Sequence, residues 1–276
     1  MTVTAPENIH FAMPSRLQTA LSDLLGGLVQ WRIFWILAIL EVRQRYRRSS
    51  LGQFWVTISM AVQIAAIGIV FAVIFNQPLT SYIPFLGIGL VLWGFISALM
   101  NELAVTFISS ETYLLAYSGP RSAVLYRTIT RNLIITAHNL LIIPLLLVIF
   151  QIPITWTALL FVPGFLLVIL NGVWIGMLIG TLATRFRDLP QLVGNLVQLA
   201  FFITPIMYRP EQIQEQFRLI THFNPFASWI EIMRAPLLGT IPELHHWLFT
   251  GAVTILGFTV AIPFYARFRE RIVYWL

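Results

Sequence analysis

Lysine and cysteine are both absent from this 276-residue chain, and charged side chains make up only 10% of it. Each gap removes a class of chemistry. A P-loop of the GxxxxGKS/T type needs its lysine to reach the phosphates, so this sequence carries no such ATP site. Schiff-base and lysine general-base catalysis fall with it. Without cysteine there are no disulfides, thiolate metal sites or cysteine nucleophiles, although the compartment is left open. The shortage of charge, set against 58% hydrophobic residues, excludes an ordinary soluble domain.

What is present is a series of apolar runs, each near or beyond the roughly 20 helical residues that cross a bilayer core. Six spans are predicted, at 53–76, 84–108, 130–150, 154–183, 191–207 and 247–266. The net charge of +6 comes from 17 arginines and reads as a topology signal rather than a nucleic-acid footprint. The connections 77–83 and 151–153 are short and uncharged, whereas 109–129 and 184–190 carry Arg121, Arg127, Arg185 and Arg187. Arg267, Arg269 and Arg271 follow the last span, and Arg43, Arg45, Arg47 and Arg48 precede the first. An arginine at the bilayer centre costs roughly 2.5–3.5 kcal/mol, so these loops share one side and both termini are expected in the cytoplasm. The opening MTVTAPENIHFAMPSR is polar, contains Glu7 and lacks a signal-peptide apolar region, so no cleaved signal is expected.

Two units are expected: a tail with an interface helix (1–52) and a transmembrane domain (53–276). Residues 24–40 are interrupted by Gly26, Gly27 and Arg32, and the unbroken part, 33–40, is too short to cross. With Leu17, Leu21, Leu24 and Leu28 on one helical face, an amphipathic helix in the cytoplasmic interface is expected. A seventh span with an external N-terminus is the alternative. The segment 208–246 is too polar to cross, with Glu211, Glu215, Arg218, Glu231, Arg234 and Glu243. It still keeps helical apolar spacing at Phe226, Trp229, Ile230 and Met233, after a fifth span that meets Pro205. Short helices re-entering from the outer face fit this pattern, and a plain external loop is the alternative.

No Ser–His–Asp arrangement, HExxH or intramembrane carboxylate pair is present, so neither a catalytic nor a metal site is expected. The intramembrane polar residues are mostly neutral: Gln63, Asn101, His138, Asn139, Asn171, Asn195, Gln198 and Thr204. Glu102 reads as an ion-pair partner of Arg127 or Arg131, and His138 with Asn139 as an interhelical hydrogen-bonding pair. His245 and His246 read as a solvated helix end. Gly172, Gly176 and Gly180 share one helical face and allow another helix to approach closely. Most of the aromatics Phe54, Trp55, Trp93, Phe95, Trp174, Phe201, Phe202 and Tyr208 suit lipid-facing or interfacial belts and a minority can stack on sugar rings, without the sequence separating the two sets. SSETYLLAYSGP (109–120) reads as a short helix closed by Gly119 and Pro120, and FRDLPQL (186–192) as a compact charged turn. Both are either ordinary loops or contact elements for a soluble partner.

The stretches RYRRSSLGQFW (45–55), RFRDLPQLVGNLVQLAFFITPIMY (185–208) and FNPFASWIEIMRAPLLG (223–239), in that order, resemble one family. It comprises the permease subunits of ATP-binding-cassette exporters for polysaccharides such as O-antigen, capsule and teichoic acid. YRTITRNLIITAHNLLI (126–142) is similar to the third span of one bacterial branch, and the resemblance covers most of the chain after about residue 30. It implies an all-α polytopic membrane protein with six transmembrane helices, moving a lipid-linked glycan across the cytoplasmic membrane of a bacterium. It implies a homodimer joined to two copies of a separate ATPase, which binds the ATP and Mg, so this chain itself holds no cofactor. The interface helix and Glu111, Tyr113, Tyr117, Arg185, Arg187 and Asp188 would receive the ATPase movement. Pro205, Asn224, Pro225 and Arg234 would belong to outer gate helices, and Phe54, Trp55, Trp93, Trp174, Phe201 and Tyr208 are the candidate channel aromatics. The sequence departs from many members at SGPRS (118–122), where a bulky residue often precedes the proline. An exporter of a lipid, drug or peptide with this architecture is the first rival. A membrane-embedded glycan-lipid transferase is the second, and lacks an acid–base pair. Scarce buried carboxylates disfavour a proton-coupled transporter.

Overall fold

The computed structural model describes residues 15–47, 51–52, 54–209, 212 and 221–276, and among these there is no strand. The chain is an all-α polytopic membrane protein. Two helices, α1 (Arg16–Val29) and α2 (Trp31–Tyr46), precede the spans and are bent by 62° to one another. Then follow α3 (Phe54–Ile74), α4 (Leu79–Ala104) and the short α5 (Glu111–Ala116). The third span runs through α6 (Ser122–Leu140) and α7 (Ile142–Ile149), and the fourth through α8 (Phe161–Ile175) and α9 (Thr181–Arg185). Helix α10 (Leu189–Ile203), α11 (Pro225–Leu237), α12 (Leu244–Phe268) and α13 (Ile272–Trp275) complete the order.

Local chemistry explains several boundaries. Ser15 opens α1 with a capping box: its hydroxyl accepts from the Gln18 N–H at 3.2 Å, and the Gln18 side chain accepts from the Ser15 N–H at 2.8 Å. The side chain of Asn224 caps α11 by accepting from Phe226 N–H at 2.9 Å, and Pro225 sits in the first turn, where its missing N–H costs nothing. Pro144 cannot donate to the carbonyl four residues back, which accounts for the break between α6 and α7. Between α8 and α9 the chain makes a π-helical turn over Gly176–Gly180.

Helix α4 is the axis of the fold. In its most apolar window 78% of residues are buried, against 17% for α3, which lies on the outside. The glycine face of the fourth span packs on α4, as its spacing predicts. A Cβ at Gly172 would lie 2.8 Å from Leu99 Cδ2, and one at Gly176 would collide with Leu125 and Leu103. This glycine face therefore serves packing within the chain.

Three spans differ from expectation. The third begins at Ser122 instead of 130, so Arg127 and Arg131 ride on the helix rather than on a loop or at its first turn. They are tolerated there because carboxylates from two other helices meet them. The fifth shortens to Leu189–Ile203, about 22 Å of helix, too little to cross alone; the chain turns at Thr204–Met207 beside Pro205. The sixth helix starts at Leu244. At the N-terminus, the exposed face of α1 carries Leu17, Leu21, Leu25 and Leu28, while Leu24 is half-buried and Ala20, Asp23 and Gly27 dock inward. An exposed leucine stripe is thus present, with Leu25 in the place expected for Leu24. Arg48 and the outer-segment residues Glu211, Glu215 and Arg218 lie outside the described residues.

Candidate functional site

The arginine-rich end of the bundle brings together the elements expected to receive a soluble partner. Helix α13 lies across it and touches both α5 and α9. Arg187 donates to the carbonyls of Trp275 at 3.1 Å and Leu276 at 3.0 Å, and the Arg185 guanidinium lies 5.5 Å from the Trp275 ring. Glu111, Tyr117, Arg185, Arg187 and Asp188 are all exposed there, with apolar Leu115 and Phe186 beside them. Tyr113 is tucked in: its ring lies 5.2 Å from Tyr117 and 5.8 Å from the Arg127 guanidinium. Burial, and then the neighbouring Tyr117, raises the Tyr113 phenol above its ordinary pKa, with Arg127 acting against them. It stays a neutral hydrogen-bonding group.

Beneath this surface lies a polar hub that sequence reasoning missed. The buried Asp23 carboxylate accepts from Arg121 N–H at 2.9 Å and Ser122 N–H at 3.1 Å, two of the free donors at the start of α6. It also accepts from the Tyr265 hydroxyl at 2.8 Å and faces Arg269 at 3.8 Å. Arg269 donates further to Thr19 O at 2.6 Å, and Arg121 to the carbonyl of Arg269. One carboxylate therefore ties α1, the start of α6 and the end of α12 into a single joint. Gly27 makes the approach possible, since a Cβ there would collide with Ser122 Oγ. The available signal was the spacing Ala20, Asp23, Gly27, one acid on a stripe of small residues.

A second ionic cluster locks α2 to the spans. Glu41 pairs with Arg127 at 3.1 Å and with Arg131, while Glu102 pairs with Arg131 at 2.7 Å and Arg45 at 3.4 Å. Asn132 donates to Glu102 at 2.7 Å. Glu102 thus takes Arg131, one of its two expected partners; Glu41, which was not singled out, takes Arg127. Asn139 reaches across to Thr57 at 3.3 Å, whereas His138 bonds within its own helix to Ile134 O at 2.8 Å and meets the Phe54 ring edge-on.

At the opposite end the four expected gate residues converge. Arg234, 1% exposed, donates to Pro205 O at 2.9 Å and to Glu231 at 2.6 Å, and its guanidinium sits 3.9 Å from the Phe85 ring. Asn224 donates to Thr204 at 3.0 Å, and Tyr82 on α4 donates to Met207 O at 2.6 Å. The turn after α10 is thereby pinned to both α11 and α4.

The candidate channel aromatics separate into groups. Phe54 and Trp55 are exposed at the start of α3. Trp93 is buried against Phe201 and Phe226, both at 5.7 Å, so it supports α10 and α11 from inside. Trp174 is bound to Asn171 at 2.8 Å, which itself reaches Thr254 at 2.8 Å; Tyr208 donates to Ile203 O at 2.7 Å. A polar stripe accompanies them. Gln191, Asn195 and Gln198 lie at i, i+4 and i+7 on α10, and all are exposed, as are Asn101 on α4 and Gln63 on α3. Uncharged amides on the outside of an apolar bundle face lipid only at a cost, so the stripe calls for water or a partner.

Residues 32–238 match the family model described as ABC-2 type transporter. Relatives named O-antigen export system permease protein RfbA were found in Klebsiella pneumoniae, 26% identical over 238 residues, and in Myxococcus xanthus, 26% identical over 237 residues. The alignments cover 83% of this chain and 91% and 90% of those relatives respectively.

Proposed function

The chain belongs to the ABC-2 type transporter family, and on that premise we propose that it exports a lipid-linked polysaccharide as the permease subunit of an ATP-driven transporter. The O-antigen export permeases to which it is similar support the cargo class. The observation that carries the mechanism is the exposed amide stripe of α10 with Gln63 and Asn101. A sugar chain needs a wall of neutral donors and acceptors, which a single copy leaves facing outward. A second copy, packed across the exposed apolar faces of α3 and α10, encloses that wall as a conduit, to which Phe54, Trp55 and Phe201 add ring faces.

The energy comes from a separate ATPase, two copies of which bind beneath the arginine-rich end, in the cytoplasm. Their closure pushes on α5, the loop 117–121 and residues 185–188. The Asp23 joint passes the displacement to α1 and α12, so the interface helix and the last span move with the loops. At the outer side, Arg234 and Asn224 hold the gate helix against the Thr204–Met207 turn until the bundle parts. The chain lies in the cytoplasmic membrane of a bacterium with both termini inside. The test is a strain lacking this chain: the surface polymer is lost and lipid-linked glycan accumulates on the cytoplasmic side. A strain that keeps its surface glycan and instead loses export of a lipid, drug or peptide would refute the cargo.

A further inference from the structure

A cavity of about 430 Å³ opens at the gate end, between α11 and the start of α12, apart from the amide stripe. His222, His245, His246, Glu231, Glu243 and Thr240 supply its polar wall, and Pro205, Ala227, Ala235 and Pro242 its apolar one. The volume lies in the range of small-molecule sites.

The arrangement excludes two ligand classes. The His222 and His245 rings stack, with centroids 4.1 Å apart and planes 18° apart, so their nitrogens point outward along the ring edges instead of converging. Among the described residues no group of three could hold a metal ion. An anion would meet two carboxylates, while the Arg234 guanidinium is engaged by Glu231 at 2.6 Å and by the Pro205 carbonyl.

What is left open is a hydrogen-bond acceptor. His245 Nδ1 lies 3.0 Å from the Glu243 carboxylate, which can only accept, so that nitrogen carries the proton. The Glu243 side chain is 80% exposed, so its carboxylate keeps lone pairs for further donors. The Thr240 hydroxyl donates to Ala235 O at 3.1 Å and can accept in turn. Acceptors beside flat rings and an apolar wall suit a neutral polyhydroxylated ring, whose hydroxyls donate while its C–H face packs.

We propose that this cavity is a saccharide-binding site at the gate, holding a sugar unit of the polymer as it leaves, with sugar hydroxyls donating to the Glu243 carboxylate and the Thr240 hydroxyl. The proposal rests on the export reading above, but its test reads binding alone. The full-length chain, with any ATPase that accompanies it, is labelled at its five histidines and placed in lipid nanodiscs. Free glucose, galactose, mannose, rhamnose and N-acetylglucosamine are added in turn while the imidazole NMR signals are followed. The expected result is a saturable shift, for at least one sugar, of the His222, His245 and His246 signals, with those of His10 and His138 unmoved. Glu243→Gln, at a side chain 80% exposed, should leave the melting temperature unchanged and weaken that response about tenfold, since the sugar hydroxyls lose a charged acceptor. Thr240→Val should weaken it as well. No saturable shift with any sugar, a uniform shift of all five histidines, or a response to pH alone would overturn the proposal. None of these outcomes bears on whether the chain exports glycan, which the surface-polymer assay decides separately.

Discussion

Replacing Asp23 with alanine removes the acceptor of two backbone N–H groups and of the Tyr265 hydroxyl, and strips Arg269 of its carboxylate partner. Removing one member of a buried ion pair costs about 3–5 kcal/mol, and three donors losing about 1 kcal/mol each lead to the same range. All of these bonds join α1 to the rest of the bundle, so the loss falls on docking of α1 rather than on the spans. At about 1.4 kcal/mol per decade, the undocked population rises by roughly 100-fold or more. Trypsin cleavage at Arg32, just past the bend between α1 and α2, reports it in detergent-solubilised protein, because cleavage of a locally opened segment follows its population. Asp23→Asn should fall between, its amide keeping one oxygen as acceptor while its NH₂ confronts a donor. In the double variant with Tyr265→Phe the effects should fall short of additive by about 1 kcal/mol, since both break one bond. Cleavage in Asp23→Ala as slow as in the parent chain would refute the joint.

Four further outcomes follow from the geometry. Arg234→Lys keeps the charge but loses the planar fork that spans Pro205, Glu231 and Phe85, and should lower stability by about 1–3 kcal/mol, read from the thermal midpoint. Gly176→Leu should abolish recovery of monodisperse protein, whereas Gly194→Leu, where an added Cβ would meet its nearest neighbour only at 3.4 Å, should not; equal recovery would contradict the packing on α4. The absence of cysteine makes Asn195→Cys a clean probe: a charged maleimide should label it in the assembled membrane, and should fail at Leu256→Cys on the exposed apolar face of α12. Arg187→Ala and Asp188→Asn should each weaken capture of the ATPase while stability, read from the thermal midpoint, stays within about 0.5 kcal/mol of the parent for Asp188→Asn and falls by about 1 kcal/mol for Arg187→Ala, which loses its exposed bonds to Trp275 and Leu276.

Hydropathy and arginine placement make the spans legible because both are local signals. Gly172, Gly176 and Gly180 announce a close helix contact through their spacing alone, and Glu102 points to an arginine partner because a carboxylate at that depth needs one. The Asp23 joint is harder to read, since its partners lie about 100 residues away at Arg121 and Ser122, and much further at Tyr265. The stripe Ala20, Asp23, Gly27 marks a face that can dock, but it does not say which distant donors meet the carboxylate. The third span starts earlier than hydropathy indicates because Arg127 looks like a loop residue and Arg131 like a first-turn residue until Glu41 and Glu102 are seen opposite them. The fifth is shorter than hydropathy indicates because apolar residues continue through Ile206 and Met207, where the backbone has already left the helix. The expected gate residues are readable as a segment, but the meeting of Arg234 with Phe85 and Pro205, and of Asn224 with Thr204, needs three dimensions.

The central claim is that this chain is one half of a machine whose energy source is another protein. Mass spectrometry of what co-purifies with the tagged chain after gentle detergent extraction tests it most directly. The account predicts a P-loop ATPase in stoichiometric amount, with the permease itself present as two copies. Recovery of the chain alone, or with glycan-synthesis enzymes and no ATPase in a complex shown to be intact, would contradict it.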